Sequence, residues 1–128
     1  VINLNIDTNL LSDTILDELK KYHPRVYLNK PPQNPTFPYV VYVLDNTLDS
    51  NPSEDYYIHI DVYDSENKSV REMNSIADKI DNNMNDLVIN NSNINLHFKR
   101  ENRQFVDNED LGAKRLITFR YNTRVYFR

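Results

Sequence analysis

Residues 56–80, YYIHIDVYDSENKSVREMNSIADKI, impose the strongest constraint on this chain, because the hydrophobic period changes partway along them. Ile58, Ile60 and Val62 alternate with Tyr57, His59, Asp61 and Tyr63, whereas Val70, Met73, Ile76, Ala77 and Ile80 recur every three or four positions. Period 2 specifies a half-buried strand and the longer spacing an amphipathic helix, so a strand runs straight into a helix. The strand's second face carries a histidine, an aspartate and two tyrosines. What that face meets is the functional question.

The flanking sequence extends the pattern. Residues 8–22 read as a helix with Leu11, Ile15, Leu19 and Tyr22 on one stripe, Asp13 and Asp17 near its start, Lys20 and Lys21 in its last turn, and Pro24 as its stop. RVYL (25–28) reads as a short strand. The four prolines of NKPPQNPTFP then hold an extended linker. YVVYVL (39–44) is apolar at both parities, as in a strand covered on both sides. Residues 45–55, DNTLDSNPSED, read as a long polar loop. The second helix spans about 67–83, with Ser69 and Glu72 in capping-box spacing. After an Asn-rich connector, residues 94–100, 103–109 and 114–128 each alternate as strands, with RENR and DNEDLG as turns. Helix, three strands, helix, three strands gives a single α+β domain: a mainly antiparallel sheet packed with two helices.

Composition removes several classes of function. The 128 residues contain no cysteine, which excludes disulfides, thiolate metal sites and cysteine nucleophiles. The one glycine, Gly112, leaves no phosphate-cradling loop of the P-loop or Rossmann kind. A net charge of −4 argues against a dedicated nucleic-acid binder. Mean hydropathy is −0.71, and no apolar run approaches the roughly 20 residues of a membrane span. The first ten residues lack the basic and continuous apolar regions of a signal peptide, so a cytosolic origin is expected.

Two groups of side chains are candidates for function. His59, Asp61 and Asp64 are possible metal ligands of a small metal-dependent hydrolase, against the plainer expectation that the Tyr57, His59, Asp61, Tyr63 face packs against protein. His23 and His97 are not drawn toward them by spacing, and no serine sits in a glycine-flanked strand-to-helix elbow. In the last strand, Arg120, Arg124 and Arg128 share parity with Leu116, Thr118, Asn122 and Tyr126, while Ile117, Phe119, Tyr121, Val125 and Phe127 take the other face. That is a solvated face or a basic stripe meeting an acidic partner, such as DNED (107–110) or the 45–55 segment of a neighbour. No cofactor is expected and no catalytic residue is assigned.

FPYVVYVLDN, then the strand ending in Val-Tyr-Asp that enters a helix with an Ile-Ala-Asp centre, then RLITFRYNTRVYF, together resemble the tail terminator (tail completion, or tail-to-head joining) proteins of long flexible-tailed bacteriophages. The resemblance spans nearly the whole chain and rests on residue classes rather than ligand signatures. It implies a small α+β subunit, without catalytic residues, that assembles in the host cytoplasm as a ring, typically a hexamer, at the head–tail junction of the virion. Such a ring caps the tail tube, stops its growth and meets the head completion or connector protein, while DNA passes through without specific binding. Other connector or tail tube components are the alternative within this class. A DNA-passing bore should not hold phosphates, since each neutralised phosphate strengthens binding. Six copies at −4 sum to −24, and Asp45, Asp49, Glu54, Asp55, Asp107, Glu109 and Asp110 are the acids expected to face the lumen or the tube.

Overall fold

Asp7 opens the first helix by accepting the Leu10 backbone N–H at 3.0 Å, and α1 (Thr8–Lys20) then buries Leu11, Ile15 and Leu19 completely. The structure is a computed structural model that describes residues 6–50, 53–107 and 112–128; the side chains of residues 46–50 and 53 lie outside that description. Beyond Pro24 the elements are β1 (Val26–Leu28), β2 (Tyr39–Ser50), β3 (Ser53–Ser65), α2 (Arg71–Met84), β4 (Val88–Asn90), β5 (Ile94–Val106) and β6 (Lys114–Phe127). The strands form one six-stranded sheet in the order β1-β2-β3-β6-β5-β4. Only β1 and β2 run parallel. The fold is therefore α+β, two helices with a mainly antiparallel sheet.

Both helices pack on the same face. Ile58, Ile60 and Val62 of β3, Val40 and Tyr42 of β2, and Phe119, Tyr121 and Val125 of β6 join Leu11, Ile15, Leu19, Met73, Ile76, Ala77 and Ile80 in one core. The alternation of residues 56–63 is thus realised with the even-numbered side chains inward. The apolar odd-numbered positions of β2 are covered differently. Tyr39 and Val41 are buried on the opposite face, where Tyr39 stacks with Phe37 and Tyr63 at 5.5 and 5.1 Å and meets Tyr27 edge-on. The proline-rich segment brings Phe37 there, through a cis Phe37–Pro38 peptide.

Several expectations are corrected. Residues 45–50 and 53–55 are not loop but the paired end of a long hairpin, with Asp45 opposite Tyr57 and Asp49 opposite Glu54 and a bulge between Asn46 and Leu48. Its polar composition, DNTLDS, concealed this strand, because such residues read as loop. RENR is not a turn: it lies within β5, where a bulge between Arg100 and Asn102 absorbs the break in alternation. The strand expected at 103–109 is the second half of β5, and β4 emerges from the Asn-rich connector instead. Ser69 forms no capping box; its Oγ accepts from the Arg71 N–H at 3.2 Å, one turn-like step before the helix. Gly112 occupies a left-handed backbone position (φ 64°) in the β5–β6 connection, where a side chain would be strained.

The short outer strands leave both edges incomplete. β1 pairs with Val40–Tyr42 only, and Asn29, itself left-handed at φ 68°, makes the last bond to Tyr42 O at 2.9 Å. Among the described residues, β2 from Val43 to Ser50 has no strand on its outer side. At the other edge β4 pairs with Asn95–His97, the Phe98 N–H donates to Leu87 O, and the Arg100 N–H donates to the Asn85 side chain. Lys99–Val106 of β5 likewise has no outer strand among the described residues.

One buried carboxylate fastens α2 to the sheet. Asp81, on the inner face of α2, accepts from Tyr121 Oη at 3.0 Å, from Arg100, and from Arg103 at 3.4 Å, while Arg103 also reaches Asp78 at 2.7 Å. Burial, then the Asp81 charge, push the Tyr121 hydroxyl well above its usual range, so it stays a donor. Removing the carboxylate leaves the buried Tyr121 hydroxyl without its acceptor and Arg100 without its partner, while Arg103 keeps Asp78. Asp81→Ala is expected to cost about 2–4 kcal/mol and Tyr121→Phe about 1 kcal/mol in urea unfolding; equal, negligible losses would show that the clamp is not structural.

His23 supplies a pH-dependent contribution. Its Nε2–H donates to Pro38 O at 2.9 Å, beside Arg25 Nε on the same carbonyl, fixing the proline-rich segment at the start of β2. Burial holds this imidazole below its ordinary value of 6.5. The unfolded chain therefore binds the proton first as pH falls, so the stabilisation present above about 6.5 is lost toward the lowered folded value. His23→Gln should flatten the fall in Tm between pH 7 and 5 relative to wild type; parallel curves would remove His23 as its source.

Candidate functional site

The helix-free face of the sheet collects the side chains singled out from the sequence. Cross-strand neighbours share a face, and the registers Tyr57↔Asn122, His59↔Arg120, Asp61↔Thr118 and Tyr63↔Leu116 set β3 and β6 side by side. Tyr57, His59, Asp61 and Tyr63 are half-buried there, with Arg120 and Arg124 exposed. Neither helix covers them, since α1 and α2 occupy the opposite face. If this face packs on protein, its own helices do not supply it.

The face is held together by internal pairs. Arg120 lies 4.9 Å over the Tyr57 ring and 3.1 Å from Glu101. Arg124 is 3.7 Å from Asp55, its cross-strand neighbour, so the 45–55 segment that pairs with this arginine belongs to the same chain. His59 contacts Asp45 at 3.1 Å. Asp61 is drawn above the usual carboxylate range by burial, opposed by hydrogen bonds from Thr118 and Tyr63 and by His59. Tyr63, buried beside Asp61, is pushed up to about 12, and Lys114 lies 5.7 Å from its ring. A shallow groove of about 280 Å³ continues across β5 and β6, lined by His97, Lys99, Glu101, Asn122 and Arg124. Arg128 stands apart at the end of β6, bonded to Asn90.

The acids expected at a lumen do not form one surface. Asp45 and Asp107 are exposed, Asp55 is partly covered, and Glu54 is buried on the helix side at 1% exposure. Glu54 therefore cannot line a bore without unfolding its strand. Asp49 lies in β2 with its side chain outside the described residues, and Glu109 and Asp110 fall outside them altogether. Glu101 was missed from the sequence because the bulge around it reads as a turn, whereas Thr118 was placed on the arginine face without its bond to Asp61.

The metal reading is not supported by the placement of its ligands. His59 and Asp61 share the helix-free face, but Asp64 has the opposite parity, is buried at 1% exposure, and accepts the Ser65 N–H at 2.8 Å. Among the described residues no group of three or more His, Asp or Glu side chains is arranged to hold a metal ion. Also among them, no helix is long and apolar enough to cross a membrane.

The fold has a counterpart among solved structures. One such protein, whose name conveys no role, superposes with a TM-score of 0.68 at 13% sequence identity, over 97% of this chain and 99% of that chain. At that identity the likeness establishes the fold alone. No protein-family model and no curated protein matches the sequence.

A divalent ion held a hundredfold above its dissociation constant would add about 2.7 kcal/mol of stability. Zinc or manganese is expected to leave Tm unchanged, and a rise abolished by His59→Ala would restore the metal reading.

Proposed function

We propose that this chain is a structural assembly subunit of the tail terminator kind, which forms a ring on the end of a phage tail tube, stops its growth and joins it to the head connector. The observation that carries this reading is that the helices cover one side of the sheet only, and the proline-rich segment covers the other only around Tyr39. A subunit with two helices on one face keeps a second face of tyrosines and arginines, residue types enriched where proteins meet, and two half-bare edges. Such a surface suits repeated contacts with sister copies and a tubular neighbour.

The resemblance adds the order of the elements. FPYVVY forms the start of β2, and IDVYD ends β3 just before α2. The internal pairing of Arg120 and Arg124 also fits a role as fitted surface more than as an anion site. No bond is made or broken in this reading, and the net charge of −4 per copy lets DNA pass without phosphate capture. A tail tube subunit is the nearest competitor, and it differs in behaviour: tube proteins polymerise without limit, whereas a terminator stops at one closed ring.

Electron microscopy of tails assembled without this protein is the test. Overlong or headless tails are expected, with normal length and head attachment restored by the protein. Tails of normal length that join heads in its absence would reject the reading, and absence of any tube would reassign the chain to the tube itself.

A further inference from the structure

We propose that neighbouring copies join edge to edge, with Phe105 of one copy seated in a socket beside β2 of the next. Phe105 lies near the end of β5, on its bare edge, and is 48% exposed. Its cross-strand partner Ile117 belongs to the core, so the ring projects on the helix side of the sheet. About half of this side chain stays in water in the single chain.

The opposite edge carries a matching socket. A cavity of about 160 Å³ opens beside the bare part of β2, lined by Thr8, Asn9 and Ser12 of α1 together with Leu28, Asn29 and Leu44. Leu28 is 44% exposed, and Leu44 is only partly buried against the core. Leu28 and Leu44 make its apolar wall and Thr8, Asn9, Ser12 and Asn29 its polar rim, with a volume that matches one aromatic ring. The socket too is on the helix side, because Leu28 pairs with the core residue Tyr42. Knob and socket thus lie on the same layer of the molecule, at its two opposite edges.

Strand polarity agrees. Three successive antiparallel steps, β2–β3, β3–β6 and β6–β5, make β2 and β5 run in opposite directions. A copy placed beside β5 in the same orientation therefore offers its β2 antiparallel. Pairing avoids both bulges if Arg103–Val106 meets Val43–Asn46, with Phe105 opposite Leu44, Gln104 opposite Asp45 and Arg103 opposite Asn46. Bare N–H and C=O groups then complete a ladder, as in strand addition at an open edge.

Formal charge favours this pairing over its alternatives. Val43–Ser50 carries Asp45 and Asp49 and no cation, whereas Lys99–Val106 carries Lys99, Arg100 and Arg103 against Glu101. Lys99, Arg100 and Arg103 already hold Asp86, Asp81 and Asp78, so charge here bears on which edges meet and adds little affinity. Pairing β2 with β2 would set Asp45 and Asp49 near their own copies, which like charges oppose.

The contact is heterologous, a knob at one edge and its socket at the other, so it generates a closed ring or an open filament. Val43 aligns through His59 and Arg120 with Asn102, so setting Phe105 against Leu44 displaces each copy by about four residues, roughly 13 Å along the strands. A ring absorbs such a stagger by tilting its strands, as barrels do. The inference rests on the ring reading and names the joint between its members.

The test uses two variants that each keep one half of the joint. Phe105→Asp destroys the knob and Leu28→Glu the socket, both at exposed positions, and circular dichroism melting verifies that each folds. Wild-type protein in the millimolar range is expected to self-associate by sedimentation velocity, and each variant alone to remain monomeric. Mixed, the socket of the Phe105→Asp copy receives the knob of the Leu28→Glu copy, giving a heterodimer that grows no further. Hydrogen exchange at Val43–Asn46 should slow in that heterodimer. Monomeric wild type at these concentrations, variants that assemble normally, or a mixture that stays monomeric would overturn the joint. Overlong tails that are nonetheless cured by Phe105→Asp protein would reject the joint while leaving the terminator reading in place.

Discussion

The period-2 alternation of β3 governs the rest of the molecule, because it assigns every helix contact to one face of the sheet. Ile58, Ile60 and Val62 are fully buried, and the helices bring Leu11, Ile15, Leu19, Ala77 and Ile80 against the same layer. A one-residue slip would invert that layer, sending His59 and Asp61 into hydrocarbon. The penalty for burying an unpaired carboxylate is large enough to hold the register. Asp81 adds directional control from the helix side, since its three donors come from two neighbouring strands and fix where α2 lies along the sheet.

What remains on the other face follows from this assignment. Half of β3 and β6 has no role in the helix-side core, so those positions are free to carry Tyr57, Tyr63, Arg120 and Arg124. Their mutual contacts keep the surface flat and ordered without filling it: Arg120 lies on Tyr57, and Arg124 is set beside Asp55. Such pairs contribute little to stability when exposed. Their effect is to hold long side chains in place, which would lower the entropy lost if another protein covered them, as the proposed function requires.

Legibility in the sequence tracked burial. The helix stripes, the switch from strand to helix near residue 65 and the alternation of β6 were readable because each places apolar residues at regular spacing. The far half of the β2–β3 hairpin was not, since Asp45, Asn46, Asp49 and Ser50 resemble a loop in composition although their backbone pairs across to β3. Within β5 the bulge at Arg100–Asn102 interrupts the period and mimics a turn. β4 is three residues long and its centre, Ile89, contributes one partly buried side chain, too little for a pattern. Of the surface, the Tyr57–Tyr63 face and the arginine stripe were visible as parity sets, whereas the Arg120 partner Glu101 depended on register. Parity also separates Asp64 from His59, a distinction that hinges on one residue of strand offset.

The core and the bare edges place different demands on the same sheet, and this difference bears on when assembly would occur. The buried core draws its residues from one copy. Its edges are blunted by bulges in β2 and β5 and by the short covers β1 and β4, devices that limit indiscriminate strand pairing. A joint between such edges is weak singly. Set on a template that already displays the ring's spacing, each added copy gains its neighbours' contacts at high effective concentration. On the proposed terminator reading, subunits built in this way would stay dispersed until the template exists and then commit together, as a device that must end growth at one place requires.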